Sequence, residues 1–145
     1  MKYKIPHYKV RLVKETTKTY ELTHCNGAED SLKVCQKLLK GLPHEEIVLV
    51  MLNNQNAIIG SCKVSQGGQS GAAILPADIF RPALAAAASR IILAHNHPSG
   101  DPTPSPQDID STKKTQHLGE LLGICLLDHL VITNSGRHSS IMDYI

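Results

Sequence analysis

Apolar and polar positions change rhythm along this chain, and each change predicts an element. Ahead of residue 25, Val10 and Leu12 fall on one face and Lys9, Arg11 and Val13 on the other, which predicts a lone edge strand. Asp30 and Ser31 are both good N-caps. After them Leu32, Cys35, Leu38 and Leu39 recur at helical spacing, until Gly41 and Pro43 stop the helix. Ile47 to Leu52 is a continuous apolar run rich in β-branched residues, the pattern of a buried central strand. Asn53 to Asn56 reads as a turn, and Ala57 to Val64 as the returning arm of a hairpin.

Gln66 to Gly71 predicts a flexible loop. No Lys follows it and no strand leads into it in the P-loop manner, so it does not read as a phosphate cradle. Pro76 suits the first turn of a helix running to about Ala88, and Pro82 inside that pattern should kink it or delay its start. Ser89 to His95 is a second buried strand, and a Pro-rich loop follows. A long helix runs from Ser105 and Pro106 to about Leu122, then a strand from Ile124 to Thr133. Ser135-Gly136 turns the chain into a short last element ending at Ile145. Strands and helices alternate with no linker or repeat. The pattern predicts one α/β or α+β domain over residues 1–145, a mixed sheet with flanking helices.

Composition agrees with a packed core: 41% of residues are apolar and 19% charged, which excludes wholesale disorder. No apolar run approaches the roughly 20 residues of a membrane span. The N-terminus lacks the apolar segment of a signal peptide, so a cytoplasmic protein with no membrane partner is expected. Net charge is +2, no five basic residues run together, and the five aromatics (Tyr3, Tyr8, Tyr20, Phe80 and Tyr144) are scattered. Composition therefore lends nucleic-acid binding no support. Cys25, Cys35, Cys62 and Cys125 form no C-x-x-C pair and read as reduced thiols, most of them small buried packing residues.

The chemistry concentrates between His95 and Asp108. His95 and His97 end a buried strand two residues apart, so period two puts both imidazoles on one face, where they can share a metal ion. Pro98 and Gly100 turn the chain away, and Asp108 falls in the first turn of the next helix, able to point back at the strand end. Two imidazoles and a carboxylate leave a fourth zinc position for water, the arrangement of a catalytic site. Ser105 and Asp108, with Pro106 between them, also match a helix capping box, a structural reading compatible with the first.

His95-x-His97, seven residues, Ser105, two residues, Asp108 is the JAMM signature of JAB/MPN metalloproteases. The flanking Leu93 to Pro102 and the later Leu127-Asp128-His129 resemble the RadC-like branch, from about Glu45 to the C-terminus. The resemblance implies a JAB-type, cytidine-deaminase-like α/β sandwich holding one Zn2+ on His95, His97 and Asp108, with Ser105 stabilising an oxyanion. It also implies an upstream general acid/base. Glu45 and Glu46 are the candidates, and the RadC-like pattern favours Glu45. The implied activity is hydrolysis of an amide bond in a protein or peptide substrate by a metallopeptidase or isopeptidase. The alternatives are a DNA-repair-associated or nucleic-acid-processing accessory protein, or a non-catalytic JAB scaffold. Longer RadC-like proteins carry an N-terminal helix-hairpin-helix module; with roughly 40 residues ahead of Glu45, a stand-alone form without that module is expected. Asp128 and His129 read as structural neighbours of the metal strand, and Asp101 as either a loop residue or a second-sphere group.

Overall fold

The computed structural model describes residues 2–66 and 74–145. Among these residues, five strands form one mixed sheet: β1 (Glu46–Leu52), β2 (Ile58–Gln66), β3 (Arg90–Asn96), β4 (Cys125–Ile132) and β5 (His138–Ser140). Three helices, α1 (Ala28–Leu39), α2 (Pro76–Ala85) and α3 (Pro106–Leu122), flank it, and a short 3-10 turn (Ile141–Tyr144) closes the chain. The spatial order is β2-β1-β3-β4-β5. Only β3 and β4 run parallel, because α3 returns the chain between them; the other neighbours are antiparallel.

Period-two alternation divides the core. Val48, Val50, Leu52, Ile92 and Ala94 face Val34, Cys35 and Leu39 of α1. Ile47, Leu49, Met51, Ile91 and Leu93 face Ile79, Phe80 and Ala83 of α2 on the opposite side. β1 and β3 are buried on both faces, as their unbroken apolar runs require. The result is an α/β sandwich, the expected class.

Several boundaries differ from the sequence reading. The edge strand expected around Val10 to Val13 does not form. Residues 2–23 lack regular structure, and Val10 and Val13 are 86% and 85% exposed. Alternation makes a strand only where a sheet edge receives it; this segment meets the fold near its C-terminal end, where Tyr20 and Leu22 pack on the α1-side core and the Thr23 carbonyl accepts from the Ile58 N–H at 2.8 Å. α1 begins at Ala28, before the expected Asp30 or Ser31, with Gly27 as N-cap. Asp30 works from inside the first turn instead, accepting the Asn26 backbone N–H at 3.0 Å. α2 starts at Pro76 despite Pro82, which neither delays it nor stops the next three residues, but it ends at Ala85 rather than Ala88. There Ala87 takes φ +54° and the Ala88 N–H bonds the Ala83 carbonyl at 2.9 Å. Of the loop expected at Gln66 to Gly71, Gln66 closes β2 and the rest lies outside the described residues.

Candidate metal centre

His95 and His97 project from the C-terminal end of β3 toward α3, on the side of the sheet that Leu93 shares. Their Nε2 atoms stand 3.0 Å apart. The Asp108 Oδ2 lies 3.6 Å from the His95 Nε2 and 3.7 Å from the His97 Nε2. These separations scatter about the spacing of ligands roughly 2.0–2.2 Å from a tetrahedral zinc.

Local structure aims each group. Ser105 caps α3: its Oγ accepts the Asp108 N–H at 3.1 Å, and its own N–H donates to Asp108 Oδ2 at 2.7 Å. The capping box and the site thus use the same carboxylate oxygen, so the two readings of Ser105-x-x-Asp108 coincide. Half burial alone would raise the Asp108 pKa, but His95 and the Ser105 N–H outweigh it and hold the carboxyl well below the usual carboxylate range.

His97 Nδ1 sits 2.8 Å from the Asp101 carbonyl oxygen, which only accepts, so this nitrogen carries the proton. Asp101 therefore serves the site through its backbone, while its carboxylate turns to the Thr103 N–H at 3.0 Å. His95 Nδ1 lies 2.9 Å from His129 Nε2, and His129 Nδ1 lies 2.7 Å from Thr112 Oγ1. Burial is the largest influence on the His129 imidazole and pushes it well below its ordinary range, so it stays neutral.

The donor set fits a metal ion. Both Nδ1 atoms point outward to partners, and two Nε2 atoms 3.0 Å apart face each other. With each Nδ1 turned to a partner, the two Nε2 atoms and the Asp108 Oδ2 are left facing a common point, which is how ligands are arranged around a cation.

Glu45 immediately precedes β1, and its strand neighbour Ile47 pairs with His95. It is exposed, and one of its carboxylate oxygens falls with nitrogens of His95 and His97 in a group whose members all lie within 4.8 Å of one another. Glu46 turns to the opposite side and pairs with Lys63, Oε1 to Nζ 2.9 Å. Asn96, between the two histidines, explains how Glu45 is held. It is buried on the α1 side, where its Oδ1 accepts the Glu46 N–H at 2.7 Å and its Nδ2 donates to the His44 carbonyl at 2.8 Å. The sequence reading missed both Asn96 and Thr112. A polar residue alternating with two candidate ligands inside a buried strand was the available signal for Asn96; Thr112 gave none.

A mixed five-stranded sheet with helices on both faces and a His/Glu/His group at the end of a central strand defines an α/β protein with a candidate metal site. The chain belongs to the RadC-like JAB domain family, whose model matches residues 25–144, beginning well ahead of the Glu45 at which the motif resemblance starts. It is 46% identical to a UPF0758 protein of Enterococcus faecalis over 109 residues, 73% of this chain and 47% of that one. A UPF0758 protein of Flavobacterium johnsoniae is 37% identical over 119 residues, 82% of this chain and 52% of that one. The chain spans about half the length of these curated relatives. Among the described residues, no helix is long and apolar enough to cross a membrane.

Proposed function

We propose that this chain is a zinc-dependent hydrolase of amide bonds, of metallopeptidase or isopeptidase type, acting on a protein or peptide substrate. The observation that carries the reading is the facing pair of Nε2 atoms 3.0 Å apart, with an Asp108 oxygen 3.6 and 3.7 Å from them. His95, His97 and Asp108 would hold the ion. When bound, zinc polarises a carbonyl and lowers the pKa of a water to about 7.

The remaining work falls to the chain's own groups. The Glu45 carboxylate, exposed beside the histidines, accepts the water's proton and returns it to the leaving amine. Ser105 uses an oxygen lone pair for its helix cap, which leaves its hydroxyl proton to donate to the developing oxyanion. Glu46, paired with Lys63, is a poor rival for the base. The cysteines among the described residues are all unpaired, which suits a reducing, cytoplasmic setting.

The test is a screen of peptide and isopeptide substrates with zinc-loaded wild type, Glu45→Gln and Glu46→Gln. Turnover lost in Glu45→Gln and retained in Glu46→Gln is expected. Full activity in Glu45→Gln would overturn the general-base assignment.

A further inference from the structure

A chain of hydrogen bonds runs behind the histidines and tells which way each proton points. It begins at the Asp108 backbone carbonyl, which accepts from Thr112 Oγ1 at 2.6 Å one helical turn along α3. The Thr112 hydroxyl has a single proton and spends it there, so toward His129 Nδ1, 2.7 Å away, it can only accept. His129 Nδ1 is therefore protonated. Its Nε2, 2.9 Å from His95 Nδ1, is left to accept if the ring is neutral. His129 and Thr112 are each 1% exposed, which disfavours a second proton on the ring. His95 Nδ1 then donates, and the His95 lone pair is on Nε2, the atom that faces His97 and Asp108.

We propose that Thr112 and His129 form a buried positioning relay that fixes the His95 tautomer with Nε2 bare toward the metal site. The relay rests on the metal reading above and deepens it. Starting from the other end gives the same answer: an ion on Nε2 requires the proton on Nδ1, hence a bare His129 Nε2 and a protonated His129 Nδ1, which needs an acceptor. The relay also joins three elements. β3 carries His95, β4 carries His129, and α3 carries both Thr112 and Asp108, so one line of bonds ties the histidine to the helical turn that presents the carboxylate.

His129 reaches this position through a sheet irregularity. Ile91 pairs with Leu126 but Ile92 with Asp128, so Leu127 is an extra residue in β4. Strict alternation from Leu126 would put Asp128 on the site face. The extra residue reverses the phase, pairs His129 with Leu93, and sends Asp128 to the other side, where its Oδ1 accepts from Ser140 Oγ at 2.6 Å.

The experiment uses the full chain and two readouts. Zinc affinity is measured by competition with a chromogenic chelator for wild type, Thr112→Val, Thr112→Ser and His129→Phe, each checked for folding by circular dichroism. Long-range proton–nitrogen NMR reports which ring nitrogen of His95 carries the proton in the metal-free protein. Wild type is expected to show the proton on Nδ1 before any metal is added. Thr112→Val and His129→Phe should weaken zinc binding by roughly 10–100-fold, with Thr112→Ser, which keeps the hydroxyl, close to wild type. Wild-type affinity in Thr112→Val and His129→Phe would overturn the relay while leaving the metal site intact. A proton on Nε2 in metal-free wild type would overturn it even if a variant fails to fold. A correct tautomer in a wild-type protein that takes up no zinc would sink the metal reading and, with it, the relay's purpose.

Discussion

Replacing Asn96 by Ala should detach the segment that carries Glu45 while sparing the histidines on either side. The side chain makes two well-formed bonds, 2.7 Å from the Glu46 N–H and 2.8 Å to the His44 carbonyl, with a longer one to Leu42 at 3.5 Å. Each good bond is worth about 1 kcal/mol net, and a donor left unsatisfied adds about 1–3 kcal/mol where burial keeps water out. His44 is exposed, so its carbonyl recovers water, whereas the Glu46 N–H at the head of β1 is half-buried. The expected loss is about 2–3 kcal/mol, a fall of roughly 5–10 °C in Tm for a chain of this size. Asn96→Asp keeps an acceptor for Glu46 but turns an oxygen toward the His44 carbonyl, so it should recover only part of the loss. Urea unfolding gives the energy, and hydrogen exchange at the Glu46 amide reports the bond itself. Fast exchange is expected in Asn96→Ala and protection in Asn96→Asp. A variant Asn96→Ala within about 0.5 kcal/mol of wild type, with the Glu46 amide still protected, would refute the reasoning.

Gly119 lies in α3, where an added Cβ would collide with the backbone carbonyl of Ile124 as well as approach Phe80. Gly119→Ala should therefore cost about 1–3 kcal/mol by urea unfolding despite the better helix propensity of Ala, and a gain in stability would contradict the packing described. Burial, reinforced by Cys25 and Asp128, holds the Cys35 thiol far above its ordinary value of 9.0. Above that pH the unfolded chain gives up a proton that the folded chain keeps, so stability falls as pH rises. Cys35→Ala should flatten the alkaline limb by up to about 1.4 kcal/mol per pH unit, and an unchanged slope would contradict the assignment. The Glu46–Lys63 pair is partly exposed, so Glu46→Gln should change stability by no more than about 1 kcal/mol in a thermal melt.

Elements whose burial follows from their own pattern were legible in the sequence. The apolar runs of β1 and β3 read as central strands because both faces are covered, and α3 announced itself through Ser105 and Pro106 at its start. The stretch around Val10 was misread because alternation does not say whether an edge is available to receive it. The His95-x-His97 spacing and the return of Asp108 were legible because both are local to one strand and the first turn of one helix. Asp128 and His129 were a different case. Which of them reaches the site depends on the extra residue at Leu127, a phase change that arises from pairing with β3 and leaves no mark in β4's own sequence. Thr112 was hidden for a related reason, since its partner His129 lies on another element. The RadC-like pattern already favoured Glu45 over Glu46, and the register of β1 adds a Lys63 partner beside the second of them.

Whether the facing imidazoles of His95 and His97 hold a metal ion decides what this site can do. The most direct measurement is the metal content of the purified, tag-free protein by mass spectrometry, beside the double variant His95→Ala/His97→Ala. About one zinc per chain, lost in the double variant, is the predicted result. A wild-type protein that carries no metal, even after zinc is supplied, would contradict it.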